Sequence, residues 1–343
     1  MDNKRGRVTI RDVAKAAGVD RSTVSRAFTR PQMIRSETTE HVLEIARRMG
    51  YSPNRLARAL STGRAANLAL VVHDLTNPFI PRLIMGVQRE ADRSGYCIFI
   101  GNADENPRDE ERLLSRFAGQ VEGTILVSSR LDPETVQRFA GSGPIILVNR
   151  DLDGLPRVLV DYTRGVSQAV QHLTSLGHRR IAYVGGPESS WSNAVRLQAV
   201  QDAVQAQGAE LVLLPAGKAS FPAGLQMTEA VLGSGTSAAI AFDDILAQGI
   251  LAGLHARGVD VPRQYSLIGC DDILGEMTYP ALTSITTRAE DTGSAAVKLM
   301  LDRIAAPETE PERYLLSTDL VLRRTTATAP ETASGPSAKQ VHR

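Results

Sequence analysis

At 343 residues, with 42% hydrophobic and 22% charged side chains and a formal net charge of +1, the chain has the makeup of a globular protein of two or three domains. It contains no apolar run near the ~20 residues that span a bilayer, and its basic start leads into Thr, Asp and Lys instead of an apolar stretch. Neither a membrane segment nor a signal peptide is therefore expected, and a cytoplasmic location is. The near-neutral total hides an asymmetry: residues 1–64 carry 14 Lys+Arg against 6 Asp+Glu, a net of +8, which leaves 25 basic and 32 acidic residues, a net of −7, for the rest. A basic head of this kind attracts polyanions by releasing their counterions. The two cysteines, Cys97 and Cys270, fall in strand-like runs and read as buried thiols in a reducing compartment. Six scattered histidines show no metal-ligand spacing, so no metal is expected, and His172 and His178 read as structural.

The head comes first in chain order. Thr9 can cap a helix over 9–17, with Asp12 favourably placed in its first turn. Gly18-Val19-Asp20 makes a turn, and Asp20 can cap a second helix over 20–28. Val24 and Phe28 share its inward face, while Arg21, Ser22, Ser25 and Arg26 point elsewhere with donors suited to phosphates and base edges. Small residues at Ala14 and Ala17 let the two helices approach closely, giving a helix-turn-helix whose second helix reads the major groove. Ser36 opens a third helix over 37–49, ended by Gly50, with Val42, Ile45, Ala46 and Met49 as its apolar stripe. Ser52-Pro53 then starts a helix to about Leu60 that is too short to stand alone, with Arg55 and Arg58 facing phosphates.

From Asn67 the texture alternates between strand and helix. Buried strands are expected over 68–72, 97–100, 123–127, 145–148 and 158–160, then over 181–184, 211–214, 238–241 and 267–269. Helices are expected over 81–93, 110–118, 165–176, 193–207, 224–232, 245–256 and 290–304, with a last strand over 314–321. Repeated βα units argue two doubly wound parallel sheets, with ligands at the carboxyl ends of their strands and a cleft between them as the binding site. Polar residues directly after strands, Asn149, Asp243 and Asp271, are candidates for that cleft, and Phe79, Trp191 and Phe221 for its apolar walls. Gly185-Gly186 lacks the Lys-Ser/Thr sequel of a nucleotide loop. The Thr, Ala, Pro and Ser-rich residues 327–343 read as a disordered tail with one aliphatic residue larger than alanine, Val341.

Specific runs resemble a known family. Val8-Thr9-Ile10-Arg11-Asp12-Val13-Ala14, Ala17-Gly18-Val19 and Ser22-Thr23-Val24-Ser25-Arg26 are similar to the start of lactose-repressor (LacI/GalR) family regulators, and residues 51–60 to that family's hinge helix. Asn77-Pro78-Phe79, Leu176-Gly177-His178-Arg179-Arg180-Ile181, Gly185-Gly186-Pro187 and Gly269-Cys270-Asp271-Asp272 extend the likeness over residues 8–325. The resemblance implies a helix-turn-helix headpiece (1–50), a hinge (51–64), and an effector-binding and dimerisation core (65–326). That core is periplasmic-binding-protein-like, one subdomain formed by 65–161 with 289–320 and the other by 162–288. It implies double-stranded DNA, a palindromic operator, as partner of a homodimer, with Arg21, Ser22 and Arg26 reading bases and Thr23, Ser25 and Thr29 on phosphates. Thr9, Asn54, Arg55, Ala57 and Leu60 complete the set, Leu60 wedging into the minor groove. Arg196 and Asp271 match the pair that grips the effector, a sugar or sugar derivative, beside Phe79, Asn149, Trp191, Phe221 and Asp243. The chain departs from many relatives at Asn149 (commonly Asp), Asp243 (commonly Asn) and Thr29 (commonly Asn). The expected function is a repressor of a sugar or small-metabolite operon, with no catalytic residue and no cofactor. The competing reading, a carbohydrate-binding or carbohydrate-hydrolysing protein using Asp243 and Asp271 as acid and base, leaves the basic head unexplained.

Overall fold

A computed structural model describes residues 8–29, 31–51 and 66–330, in two units that divide after Ala66. The expected hinge helix, with Asn54, Arg55, Ala57 and Leu60, and the tail beyond residue 330 lie outside the described residues.

In the first unit, helix α1 (Ile10–Ala17) starts on a capping box: the Thr9 backbone N–H and hydroxyl both donate to Asp12 Oδ2, at 2.8 and 2.7 Å. Those bonds from Thr9 hold the Asp12 carboxyl below its ordinary range. Gly18 ends the helix at φ 65°, a conformation that favours glycine, and helix α2 (Arg21–Thr29) follows, its first turn closed on the Asp20 carbonyl. Helix α3 (Ser36–Arg48) begins one residue earlier than expected: Arg35, not Ser36, is its cap. Gly50 at φ 66° terminates it, with the Tyr51 N–H returning to the Ala46 carbonyl at 2.9 Å. Val13, Ala14, Ala17, Val24, Ala27, Val42, Ile45 and Ala46 form the buried core, edged by Phe28 against Tyr51 with ring centroids 5.8 Å apart.

The second unit holds two six-stranded sheets. The first runs in the order β11-β5-β4-β3-β1-β2, all parallel, from β1 (Asn67–Val72), β2 (Cys97–Asn102), β3 (Gly123–Val127), β4 (Ile145–Val148), β5 (Arg157–Asp161) and β11 (Arg313–Ser317). Helices α4 (Phe79–Arg93) and α11 (Ala289–Ala305) cover one face, through Ile80, Leu83, Val87, Ala296, Val297 and Met300. On the other face lie α5 (Pro107–Phe117) and α6 (Pro133–Ala140). The second sheet runs β12-β10-β9-β8-β6-β7, from β6 (Arg180–Gly185), β7 (Glu210–Pro215), β8 (Ala238–Ala241), β9 (Ser266–Asp271), β10 (Thr283–Thr286) and β12 (Asp319–Val321). Helices α7 (Thr163–Ser175) and α8 (Trp191–Ala206) pack on one side, α9 (Phe221–Gly233) and α10 (Asp244–Ala256) on the other.

Three differences from the sequence reading have physical causes. The strand expected over 314–321 is two strands in two sheets. Thr318, fully buried, breaks it by donating to the Asp161 carbonyl at 2.9 Å and accepting from the Gly165 N–H at 3.1 Å, and β12 then pairs antiparallel with β10. Residues 327–330 are held, not tail-like: Ala327 O takes a bond from His178 and the Ala329 N–H donates to Leu176 O at 2.8 Å. Cys97 is only half-buried because it opens the edge strand β2, whereas Cys270 lies in the core.

Helices α4 and α11 approach through Gly86 and Gly293, where an added Cβ would fall inside the Glu290 and Leu83 carbonyl oxygens. Gly86→Ala is therefore expected to destabilise the second unit by about 1–3 kcal/mol in urea unfolding, overriding the ~1 kcal/mol that alanine gains in an isolated helix. An unchanged or raised midpoint would show that the helices can part without cost.

Candidate functional site

The outward face of α2 carries Arg21, Ser22, Ser25 and Arg26, all exposed, while Val24 and Ala27 are buried and Thr23 is half-buried. This spacing turns two guanidiniums and two hydroxyls away from the core on one short helix. Thr9 is exposed beside them in sequence, its hydroxyl engaged by Asp12, and Thr29 is the last residue of α2.

In the second unit, the carboxyl ends of both sheets border one cleft. From the first sheet it is lined by His73 and Asn77 after β1, Phe79 at the start of α4, Glu105 after β2, Ser128 and Arg130 after β3, and Asn149 after β4. From the second come Pro187, Ser190 and Ser192 around the start of α8, Arg196 on α8, Ala219, Phe242 and Asp271. Asn77 sets the entry to α4 by accepting from the Phe79 N–H at 2.9 Å. Among the described residues, four non-glycine positions with left-handed φ lie on this wall: Glu105 (57°), Ser128 (51°), Asn149 (52°) and Asp271 (96°). Such conformations cost on the order of 1–3 kcal/mol each and concentrate at functional sites.

Arg196 is the centre of the cleft. Its guanidinium lies between the rings of Tyr162 and Phe242, 4.4 and 4.3 Å from their centroids. Nη2 donates to the Tyr162 hydroxyl at 2.8 Å and to Asp271 Oδ1 at 2.9 Å, and Nη1 donates to the Phe242 carbonyl. Both members of the ion pair are 6% exposed. Burial raises the Asp271 carboxyl above its ordinary range, and Arg196 opposes that shift. Two buried polar atoms on the cleft wall have no partner, Arg196 Nε and His73 Nδ1. The cavity itself is about 40 Å³, the room of a few waters. Larger depressions, about 500 Å³ between α11 and β11 and about 380 Å³ beside Tyr279-Pro280, open on outer surfaces and include none of the unpartnered buried atoms.

Of the seven side chains expected here, Phe79, Asn149, Arg196 and Asp271 line the cleft. Trp191 and Phe221 do not: they are the first residues of α8 and α9, half-buried and 37% exposed respectively. Asp243 is off the wall too, capping α10 by accepting from the Leu246 N–H at 2.9 Å, with Oδ2 buried and unpartnered. His73, Glu105, Ser128, Arg130, Ser190 and Ser192 were missed. The signal that finds most of them is position directly after a strand, applied to every strand of both sheets.

Burial, and then the neighbouring Asp271 charge, push the Asp243 carboxyl from 3.8 up to about 7. The fold thus favours the protonated acid, and ionising it costs stability progressively as pH rises from about 4 to about 7. Asp243→Asn imitates the neutral acid. Relative to the parent it should gain thermal stability between pH 4 and pH 8, whereas a pH-independent gap would contradict this assignment.

The description "Bacterial regulatory proteins, lacI family" matches residues 9–54, and "Periplasmic binding protein-like domain" matches residues 170–326. The HTH-type transcriptional regulator CelR of Thermobifida fusca is 33% identical over 337 residues, 93% of this chain and 98% of its own. Catabolite control protein A of Priestia megaterium is 31% identical over 303 residues, 85% of this chain and 91% of its own. Among solved structures, the transcriptional regulator CelR–cellobiose complex superposes with a TM-score of 0.70 at 29% identity, covering 93% of this chain and 100% of that one. The lac repressor dimer bound to operator and the anti-inducer ONPF shares the fold, with a TM-score of 0.82 at 24% identity over 94% of this chain and 100% of that one. With its headpiece and its core both accounted for along nearly the whole length, the chain belongs to the lacI family of bacterial regulatory proteins.

Proposed function

We propose that the protein is a cytoplasmic, homodimeric repressor that binds a palindromic operator and releases it in response to a sugar held against Arg196 and Asp271. The observation that carries this reading is the buried Arg196–Asp271 pair, a donor fork and an acceptor at the meeting of two sheets, in a chain whose head exposes Arg21 and Arg26 on one helix face. The complexes of CelR with cellobiose and of a LacI family transcriptional regulator from Enterococcus faecium with ribose support a sugar as the ligand class. Two of the crossings between the sheets touch the pair: Tyr162, between β5 and α7, bonds Arg196, and Thr287, between β10 and α11, lies 3.4 Å from Asp271 Oδ1 through its hydroxyl. A cavity of about 40 Å³ admits a sugar only by widening, and widening pulls on those crossings. The exposed, apolar Met277 and Tyr279 on the outer surface suit contact with a second copy.

A hydrolytic reading has less behind it. Asp271 is engaged by Arg196, and Asp243 caps a helix off the cleft wall, so the two carboxylates do not present a free acid and base to one substrate. Among the described residues no group of side chains is placed to hold a metal, and no helix is long and apolar enough to cross a membrane.

Selection from a random duplex library with the full chain should enrich an inverted repeat, bound with steep salt dependence. Arg26→Ala should relax the preference at one position in each half-site and cost about 1–3 kcal/mol there. Recovery of no sequence, or an equal loss on all sequences, would remove the base-reading role. For the cleft, Arg196→Lys keeps a positive charge opposite Asp271 but loses the planar fork. Operator binding should persist while the sugar concentration that releases it rises by about tenfold or more. Near-normal response in this variant would move the ligand elsewhere.

A further inference from the structure

Resting on the sugar reading, we propose that the cleft selects an uncharged polyhydroxyl ligand over its phosphorylated counterpart, and that Glu105 enforces the choice by holding Arg130. The ionisable groups on the wall are two guanidiniums, Arg130 and Arg196, two carboxylates, Glu105 and Asp271, and the imidazole of His73. Each guanidinium already has its own carboxylate. Arg130 Nε donates to Glu105 Oε2 at 2.7 Å and Nη2 to Oε1 at 3.1 Å, a two-toothed pair, while Nη1 donates to the Ser128 carbonyl at 2.8 Å. The Arg130 backbone N–H is taken by Glu110 Oε2 at 2.9 Å, a second carboxyl close by. Arg196 is held as described above, with both Nη atoms engaged. Burial lowers the His73 pKa from its ordinary value, so this ring is neutral at pH 7 and adds no cation.

The wall is therefore charge-balanced before any ligand arrives. A phosphate ester brings a charge of about −1.5 to −2 and three strong acceptors, and needs free cationic donors to repay its lost hydration. Among the described residues lining the cleft, no guanidinium fork is open to it. What lacks a partner among the side chains that line the cleft is one buried N–H, Arg196 Nε, and one buried ring nitrogen, His73 Nδ1. An N–H and the nitrogen of a neutral imidazole suit hydroxyl groups, which both give and take a hydrogen bond. Ser128, Ser190 and Ser192 add hydroxyls of the same character.

Glu105 is the residue to change, because its side chain is 39% exposed and its removal leaves no buried charge on the carboxylate side. Calorimetric titration of the full chain and of Glu105→Gln would use D-ribose, D-glucose and cellobiose, each beside its phosphate monoester, with inorganic phosphate as a fourth probe. In the wild type, a free sugar should bind about tenfold or more tightly than its ester, and inorganic phosphate should give no heat. In Glu105→Gln, Arg130 loses its neutralising charge and one of its two bonds to this side chain, and that preference should shrink or invert, with inorganic phosphate now binding. A wild type that prefers an ester would overturn the inference while leaving the sugar reading standing. An unchanged ratio in Glu105→Gln would overturn the role of Glu105. Failure of every sugar and every ester to bind the wild type would bring down the inference together with the sugar reading on which it rests.

Discussion

The ion pair between Arg196 and Asp271 is the constraint on which the second unit depends. Taking two charges out of water costs several kcal/mol per ion, and attraction offsets this only with good geometry and further hydrogen bonds. Those further contacts are what join the unit together. Tyr162 and Phe242 sandwich the guanidinium, the Phe242 carbonyl and Tyr162 hydroxyl accept from it, and Thr287 reaches the carboxylate. Tyr162 and Thr287 sit where the chain passes between the sheets, so a pair on the cleft wall also fixes the crossings. Hydrophobic side chains of equal volume could fill this space, but they would offer no donor or acceptor to the cleft and would set no defined angle between the halves.

Around that pair, backbone groups are organised by other buried polar side chains. Asp244, its carboxyl raised to about 7 by burial, accepts from the Ile273 and Leu274 N–H groups at 2.8 and 3.0 Å and from Ser284. This fixes the loop that follows Asp271. Arg157, buried in β5, binds Asp151 and Asp153, and Asp151 also binds Arg313 on β11. The returning edge strand is thus tied to the loop between β4 and β5 near the cleft. His178 does similar work at the far end, reaching Ser237, Ser266 and the Ala327 carbonyl.

Much of this was legible in the residues because local signals agreed with the fold. The capping box of Thr9 and Asp12, Gly18, and the inward Val24 of the head are patterns that a short stretch declares by itself. Runs such as Ile145–Val148 read as buried strands because nothing polar interrupts them. What escaped was set by distant partners. Strand β10 is Thr-Ser-Ile-Thr and looks like a turn, yet Thr283 and Ser284 are fully buried because Thr325 and Asp244 satisfy them from 42 and 40 residues away. Helix α6 lies outside the runs expected from the sequence although it carries a local signal, with Asp132 as its cap and Pro133 in its first turn. In the cleft, Asp271 is legible from its place directly after a strand, and Arg196 from the family pattern. Glu105 and Arg130 stand 25 residues apart and meet only because β2 and β3 flank β1.

The central claim, that Arg196 and Asp271 act as one unit in the core of the second domain, is tested most directly by a double-mutant cycle of Arg196→Met and Asp271→Asn in urea unfolding. Arg196→Met leaves the Asp271 carboxylate buried without its cation, and Asp271→Asn leaves the guanidinium facing a neutral amide; each is expected to cost about 3–5 kcal/mol, while the double variant should lose much less than the sum. Costs that simply add would contradict the account.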